Sequence, residues 1–416
     1  MRISTSAIYE AGIRAMQEQT EKLMHVQQQI SSGRRILTPA DDPVAAARVL
    51  EVSQSQSLNQ QYATNSAAAG DSLALEESVL GSISGLLQDV RDTAVQAGNA
   101  ALNASDRSML ASALRGRYQE LLGLANSTDG SGQYLFSGYQ GGIRPFSESA
   151  PGNVVYSGDQ GQRLIQVSPS RQIAVSDAGV DVFQRIASGN GTFAAQAVNS
   201  NGGSGVIESG TLLDATSWND PTNSKNLGVV FTVLGGVTTY SIMDNAVGPP
   251  AALLAGPRAY TSGSDINLGT DGPPPVDFGA RVSISGAPAD GDSFTIKAST
   301  KQQDVFQTIN DLINLLQTSP GGASLANGLA SVQRNLDNAM ENVLTVRTST
   351  GSRLKELDSV NSAGDDRALL YNQTLSTLQD LDYAKAASEL TQQQVNLEAA
   401  QKSFVKVAGL SLFNYI

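Results

Sequence analysis

The stretch AGDSLALEESVLGSISGLLQDVRDTAVQA, residues 69–97, has a regular spacing of apolar residues that indicates a helical fold. Steps of four and three alternate along the series Ala69, Leu73, Glu76, Leu80, Ile83, Leu87, Val90, Ala94 and Ala97. Such a seven-residue repeat lines apolar side chains along one face of a helix, where a second helix covers them. Glu76 is the one polar member. The stretch therefore predicts a long helix that packs lengthwise against other helices.

Similar stripes lie toward both ends of the chain. The N-terminal stripe, which Gly33 and Pro39 interrupt, consists of Tyr9, Met16, Leu23, Val26, Ile30 and Leu37. A stripe in the last third consists of Leu325, Leu329, Val332, Leu336, Ala339, Val343 and Val346. The closing stripe consists of Ala386, Leu390, Gln393, Leu397, Ala400, Phe404 and Val407. Heptads at both ends predict that the first and last segments pack together into one antiparallel, coiled-coil-like helical stem.

The two outermost stripes predict an assembly surface. The closing stripe lies beyond the 325–346 stripe, which already suffices to pack the stem, and isolated helices with an exposed apolar face are marginal in water. The predicted interaction residues are Met16, Leu23, Ile30 and Leu37 on the N-terminal side and Leu390, Leu397, Ala400, Phe404 and Val407 on the C-terminal side. The alternative is that these residues form only an intramolecular core.

The middle of the chain has a different composition. Roughly half of the 40 glycines and most of the 14 prolines fall between residues 145 and 300, among short β-rich runs such as GDSFTIKAS. The predicted fold is therefore mainly α with an inserted β domain. Residues 1–42 and 365–416 are predicted to form a terminal coiled-coil assembly domain, residues 43–149 and 289–364 a helical stem with a β-hairpin edge, and residues 150–288 the inserted outer domain.

The segment LTPADDPVAAARVL, residues 37–50, contains two adjacent carboxylates. Asp42 followed by Pro43 predicts a helix start, because an N-cap aspartate accepts hydrogen bonds from the first turn and proline at the next position lacks an amide that would have no partner. Asp41 also favours the positive end of the helix dipole. No second catalytic partner lies nearby, so we predict caps rather than an acid/base pair. Ser105 is likewise predicted to cap the next helix.

Composition excludes several classes of function. A net charge of −12 and a pI near 4.6 argue against nucleic-acid binding. The sequence has no run of about 18 apolar residues, so it does not predict a membrane-spanning helix. The chain has no cysteine and one histidine, His25, predicted on a solvated helix face. We therefore predict no catalytic, cofactor or metal site. The N-terminal residues lack the apolar core of a secretory signal, so the chain is expected either to stay in the cytosol or to leave without a cleaved signal.

Several segments resemble the flagellin superfamily, and within it the hook-associated protein 3 family of hook–filament junction proteins. They include QQQISSGRRILTPADDPVAAARVL, VRDTAVQAGNAALNASDR, LANSTDGSGQYLFSGYQGGIRPF and DLDYAKAASELTQQQVNLEAAQKSFVKVAGLSLFNYI. Filament flagellin is the alternative. Two features separate the two families: TPADDP stands where flagellins typically have a SAADDAAG-like stretch, and LSLFNYI stands where they have a LSLLR-like tail.

The resemblance implies a structural adapter that needs no cofactor. Its implied partners are lateral copies of itself, hook-associated protein 1, flagellin, an export chaperone and the flagellar type III export apparatus. Its implied location is extracellular, at the hook–filament junction, after secretion without a cleaved signal peptide. An enzyme or an adhesin in residues 150–288 is the more remote alternative. The absence of histidine and cysteine from that segment argues against an enzyme.

Overall fold

The computed structural model describes residues 5–248 and 251–409, which contain eight helices and fifteen strands. The helices are α1 (Thr5–Ser32), α2 (Pro43–Ala97), α3 (Ala104–Ala125), α4 (Gly179–Phe183), α5 (Ala215–Asn219), α6 (Val305–Thr318), α7 (Gly322–Gln379) and α8 (Tyr383–Gly409). The first eight strands are β1 (Phe146–Ala150), β2 (Asn153–Tyr156), β3 (Leu164–Ser168), β4 (Arg171–Ala174), β5 (Ile186–Ala187), β6 (Phe193–Ala197), β7 (Val206–Ile207) and β8 (Thr211–Leu212). The remaining strands are β9 (Asn226–Leu234), β10 (Val237–Asp244), β11 (Ala252–Ala259), β12 (Asp265–Thr270), β13 (Val276–Ser285), β14 (Ser293–Ala298) and β15 (Lys301–Gln303).

The chain divides into two compact units. The first comprises Met1–Ser66, Val167–Pro169 and Asp358–Ile416, and the second comprises Ala67–Gln166 and Ser170–Leu357. Within the first unit α1 packs against α8. The beginning of α2 lies against the end of α7, where the Gln56 amide donates to the Asn372 side chain (2.7 Å) and the Asn59 amide to the Gly364 carbonyl (2.9 Å).

The second unit contains a helical core built around the opening stretch of α2. Leu73, Leu80, Ile83, Leu87 and Val90 are fully buried. Residues of α2, α3, α6 and α7 share one apolar cluster, to which β1, β2 and α4 contribute. The chain is poor in aromatic residues, yet this cluster concentrates four phenylalanines whose neighbouring ring centroids lie 5.2–5.7 Å apart: Phe136, Phe146, Phe183 and Phe306.

Residues 189–299, which we call the β region, have a separate core. A five-stranded antiparallel sheet in the order β11-β10-β9-β14-β6 is accompanied by β12, β13, β7 and β8. Their inward side chains form a second apolar cluster that includes Phe193, Trp218, Phe231 and Phe294. The β region therefore has the hydrophobic core that an independent domain needs.

A two-stranded neck joins the β region to the helices. Strand β5 pairs with β15 immediately before and after the β region. The Ser188 amide donates to the Thr300 carbonyl (3.2 Å), and the Ser299 hydroxyl donates to the Ser188 carbonyl (2.7 Å). The chain therefore enters the β region and returns from it to the helices at neighbouring points.

The predicted fold class is confirmed: the chain is mainly helical, its terminal helices pair, and a β-rich region lies in the middle. The predicted three-domain division stays a prediction. One local expectation was wrong, because α3 is capped by Asn103 rather than Ser105. The Asn103 side chain accepts from the Asp106 amide, and the Asp106 side chain accepts from the Asn103 amide, which completes a capping box.

Candidate assembly interface

Helices α1 and α8 meet in one antiparallel register. The Phe404 ring covers Gly12, where an added Cβ would lie 2.5 Å from Phe404 Cδ2. At the other end an added Cβ on Gly33 would lie 3.0 Å from the Tyr383 hydroxyl oxygen. In both contacts the residue numbers of the facing positions add to 416. The Tyr9 ring also packs edge-on against Phe404, at a centroid distance of 4.8 Å.

This register aligns the two terminal stripes. Extended along the helices, it sets the following positions opposite each other: Met16 and Ala400, Gln19 and Leu397, Leu23 and Gln393, Val26 and Leu390, Ile30 and Ala386. The seam between α1 and α8, as we use the term below, consists of these ten positions and Phe404. Leu37 belongs to the predicted set but lies in the loop after α1.

The seam is incompletely covered. Among the described side chains of α1 and α8, Val26 and Ala386 are the buried ones, each 4% exposed. The half-buried members are Met16, Leu23, Ile30, Leu390, Leu397, Ala400 and Phe404, and Leu37 in the loop is half-buried too. The side chain of Val407 lies outside the described residues. Stripe-to-stripe pairing within one chain therefore leaves apolar surface on both helices in contact with water.

Hydrogen bonds from the loop between α1 and α2 hold the C-terminal end of α1 close to the N-terminal end of α8. The Arg35 amide donates to the Gln379 carbonyl (2.6 Å), and the Leu381 amide donates to the Gly33 carbonyl (3.0 Å). The Arg35 guanidinium also donates to the Leu378 carbonyl (2.9 Å). Gly33 has a φ of +71°, which disfavours residues with a Cβ. These bonds hold the end of α1 beside the start of α8.

Asp41 and Asp42 have different structural roles. Helix α2 begins at Pro43, and the Asp42 carboxylate accepts from the Ala45 amide (3.0 Å), which lowers the pKa of Asp42. The Asp41 carboxylate instead accepts from the Leu37 and Thr38 amides (2.9 and 2.8 Å), and the Thr38 bond is the main reason that its pKa is lowered. His25 Nε2 lies 3.0 Å from Asp41 Oδ1. The expectation that His25 lies on a solvated helix face was therefore incomplete, because the His25 ring connects α1 to the loop through Asp41.

A buried ionic cluster lies in the second unit, around Glu76. This side chain is 1% exposed; its Oε1 accepts from the Asp177 amide (3.0 Å), and its Oε2 has no hydrogen-bond partner among the described residues. The Asp177 carboxylate is held by Arg353 through two bonds (3.0 and 2.8 Å) and by Gln162 (2.6 Å). Burial, and secondarily the charge of Asp177, raises the pKa of Glu76 to about 8, although Arg353 and Arg163 act in the opposite direction.

Polar residues of α7 position the β region and the segment before it. Asn327 donates to the Gly205 carbonyl and accepts from the Ile207 amide (both 2.9 Å). Asn338 donates to the Ala187 and Gly189 carbonyls (2.9 and 2.8 Å). Two more side chains donate to backbone carbonyls: Arg334 to Ala195 and Asn342 to Asp181 and Val182. We call these four residues the α7 ladder.

The α7 ladder was not predicted from the sequence. Its spacing of seven, four and four residues places it on one helix face beside the apolar stripe, and this spacing was the available signal. Within the described parts of the chain, no group of three or more histidine, aspartate or glutamate residues is arranged to hold a metal ion. No described helix combines the length and hydropathy needed to cross a bilayer.

Comparisons with known proteins agree with one another. The bacterial flagellin N-terminal helical region matches residues 3–141. The flagellar hook-associated protein 3 of Salmonella typhimurium is 29% identical over 418 residues, which cover 99% of each chain. The crystal structure of FlgL from Xanthomonas campestris is 32% identical, with a TM-score of 0.68 over 78% of this chain and 99% of that one. The flagellar junction protein FlgL from Legionella pneumophila is 28% identical, with a TM-score of 0.69 over 80% of this chain and 100% of that one.

Proposed function

Because the chain belongs to the flagellar hook-associated protein 3 (FlgL) family, we propose that it forms the layer of the flagellum that joins hook-associated protein 1 to the flagellin filament. A structural role in a flagellar junction follows from the family itself. What we propose beyond the family is the position of the chain between hook-associated protein 1 and flagellin, and the way in which its copies assemble.

The observation that carries the proposal is the half-covered seam between α1 and α8. These helices have 28 and 27 residues and pack on each other, yet most of the predicted interaction residues remain half-buried. Assembly supplies the missing cover. Met16, Leu23 and Ile30 on α1 and Leu390, Leu397, Ala400, Phe404 and Val407 on α8 are the proposed contact residues, with Leu37 beside them in the loop.

The energy available from such contacts is large when it is summed over a layer of subunits. Complete burial of a large apolar side chain stabilises by about 1.5–3 kcal/mol. A half-buried side chain has obtained only part of this within its own chain. Several such side chains on every copy would make assembly of the layer favourable, whereas in a single copy the seam remains partly exposed to solvent.

Specific partners follow from the family resemblance rather than from contacts within this chain. We propose lateral copies of the same chain, hook-associated protein 1 on one side and flagellin on the other. Delivery would use an export chaperone and the flagellar type III apparatus, so the protein would reach the cell exterior without a cleaved signal. The absence of cysteine suits an oxidising medium.

The proposal assigns the chain no enzymatic activity. Its relatives are structural proteins of the flagellum. His25 and the adjacent aspartates Asp41 and Asp42, whose side chains could take part in acid/base chemistry, make structural contacts. His25 and Asp41 hold the loop after α1, and Asp42 caps the start of α2.

Immunogold labelling of isolated flagella tests the proposal. An antibody raised against the β region should mark one narrow band beside the hook. Label along the whole filament would support the filament-flagellin alternative instead. Flagella from a strain without the gene serve as the control, and a normal filament on that strain would contradict a joining role.

A further inference from the structure

A polar cleft lies between helices α6 and α7 and the β region. Its walls are one side of α6, one side of α7, and strand β6 with the loop that follows this strand. The cavity volume is about 420 Å³, which falls within the ~300–1,000 Å³ of small-molecule sites. All three walls belong to the second unit. We call this feature the amide cleft.

Polar side chains of the amide cleft recur at helical spacing. On α6 they include Asp311, Asn314 and Thr318, and on α7 they include Ser324, Asn327 and Ser331. Steps of three and four residues keep each set on one face of its helix. The third wall adds Asn199 and Asn201. Amides and hydroxyls therefore line the cavity on three sides.

Two of the amides fix the shape of the cleft. The Asn327 side chain donates to the Gly205 carbonyl and accepts from the Ile207 amide (both 2.9 Å), which binds α7 to the segment after β6. The Asn201 side chain donates to the Ser293 carbonyl (2.8 Å) and accepts from the Ser293 amide (2.9 Å). The walls are therefore held in place without a ligand.

Other polar side chains of the cleft are free to bind a ligand. Among the described residues, no hydrogen-bond partner is found for the side chains of Asn199, Asn314, Ser324 and Ser331. An asparagine amide offers two donors and one acceptor oxygen, and a serine hydroxyl both donates and accepts. The cleft therefore has unused hydrogen-bonding capacity of both kinds.

The residues of the lining select the chemical class of ligand. Within the described part of the chain, Asp311 is the one charged residue that lines the cleft, so an anion would find no counter-charge there. A multivalent cation prefers several carboxylates. No aromatic ring is among the described lining residues, and Val198, Leu315 and Val332 supply only a small apolar surface. A neutral molecule with several hydroxyls fits this lining.

We propose that the amide cleft binds a neutral saccharide, whose hydroxyls bond to Asn199, Asn314, Ser324 and Asp311. Each sugar hydroxyl both donates and accepts, as amides and serine hydroxyls require. The Asp311 carboxylate, which Gln307 orients through a bond of 2.7 Å, accepts a charge-assisted hydrogen bond from a hydroxyl. The inference goes beyond the proposed junction role and does not depend on it.

Titration calorimetry of the purified full chain tests the inference. The neutral probes are galactose, glucose and mannose, with galactotriose, maltotriose and mannotriose. Galacturonic acid is the charged counterpart of galactose, and a capped Gly-Ser-Gly-Ser peptide tests whether the cleft takes a peptide instead. Each probe is added to about 10 mM, above the millimolar dissociation constants of weak sites. We expect saturable binding of a neutral saccharide and none of galacturonic acid or the peptide.

Two variants place the binding in the cleft. Asn314→Ala should weaken it by about three- to tenfold, because one hydrogen bond to the ligand is lost. The matched control is Gln317→Ala, which replaces another exposed amide of α6 that does not line the cleft. Ser324→Trp, at an exposed position of the α7 wall, should fill the cleft and abolish binding. Circular dichroism checks that each variant is folded.

The length of the bound sugar identifies its source. Tighter binding of a trisaccharide than of its monosaccharide indicates a glycan chain, and equal binding indicates a free sugar. Failure of every neutral saccharide to bind, equal binding of galactose and galacturonic acid, or preferential binding of the peptide would overturn the inference. Binding that survives Asn314→Ala and Ser324→Trp unchanged, or that weakens as much with Gln317→Ala as with Asn314→Ala, would do so as well.

Discussion

At the scale of single residues, Glu76 shows how a break in a regular pattern points to a buried polar contact. It occupies an apolar slot in the 69–97 stripe, and this position could be recognised from the sequence. Its neighbours could not be identified in that way, since Asp177 and Arg353 lie 101 and 277 positions further along the chain. The fold brings these groups together, and burial then raises the pKa of Glu76.

Replacing Glu76 by glutamine should flatten the pH dependence of stability. The pKa of Glu76 is about 8 in the folded chain, well above the ordinary glutamate value of 4.5. The contribution from its protonation is therefore complete below pH about 4.5 and is lost progressively as pH rises to about 8. Thermal unfolding followed by circular dichroism between pH 5 and 8.5 should show a smaller decline for Glu76→Gln than for the natural chain.

The matched control for this experiment is Glu51→Gln, which changes an exposed carboxylate on the same helix. The control should retain the pH dependence of the natural chain. If Glu76→Gln declines as steeply as the control, then Glu76 does not bind its proton more tightly in the folded chain.

At the scale of elements, helix α8 provides a test of the seam. Leu397→Ala with Phe404→Ala would cost roughly 5–10 kcal/mol if both side chains were fully buried. Both are half-buried in the single chain, so we expect a smaller loss there and the remainder upon assembly. The double variant should keep the melting transition of the second unit and still be exported. It should be lost to the medium together with unpolymerised flagellin.

Val405→Ala is the control, because this residue of α8 is 70% exposed. It should support normal filaments. Normal filaments with the double variant would show that α8 is not an assembly element. A much earlier melting of the second unit would show that the two residues stabilise the fold of the monomer instead.

The α7 ladder gives a second prediction at this scale. Asn338→Ala leaves the Ala187 and Gly189 carbonyls without their side-chain donor, so we expect a loss of about 1–3 kcal/mol. Urea unfolding of the full chain should measure it. Asn361→Ala, at an exposed position of the same helix, should change the free energy of unfolding much less. Equal effects would mean that the ladder contributes little beyond helix propensity.

The accuracy of the sequence predictions at this scale depended on the range of the interactions. The heptads around Leu80 and Leu336 and the Asp42–Pro43 helix start involve residues within one or two helical turns, and their pattern is visible in the chain itself. The cap of α3 was misplaced by two residues, because Asn103 and Ser105 are both good caps and the reciprocal bond with Asp106 decides between them.

At the scale of the whole molecule, the two-stranded neck is a feature that could not be predicted from the sequence. The pairing of Ile186 with Gln303 joins residues that are more than a hundred positions apart, and nothing in either short strand identifies its partner. Composition does reveal that a β-rich segment is inserted among helices. It does not reveal where the segment begins, since the hairpins β1–β2 and β3–β4 have a similar composition but lie outside the β region.

Excision of the β region should leave a folded helical molecule. A short glycine linker can replace residues 189–299, because Ser188 and Thr300 are hydrogen-bonded neighbours. The α7 face exposed by the cut carries Asn327 and Arg334, which water solvates readily. We expect export and filament growth to persist. Circular dichroism and electron microscopy check this expectation, and hooks without filaments would show that the β region is needed for the joint.

The closeness of Ser188 and Thr300 also has a consequence for engineering. A foreign domain whose own ends lie near each other can be grafted at this point without stretching the flanking strands, in the manner of a loop insertion. The proposed junction layer would then carry the grafted domains in one band of the flagellum. An enzyme, a fluorescent reporter or an antigen could be displayed in that band, while the far more numerous subunits of the filament remain unaltered.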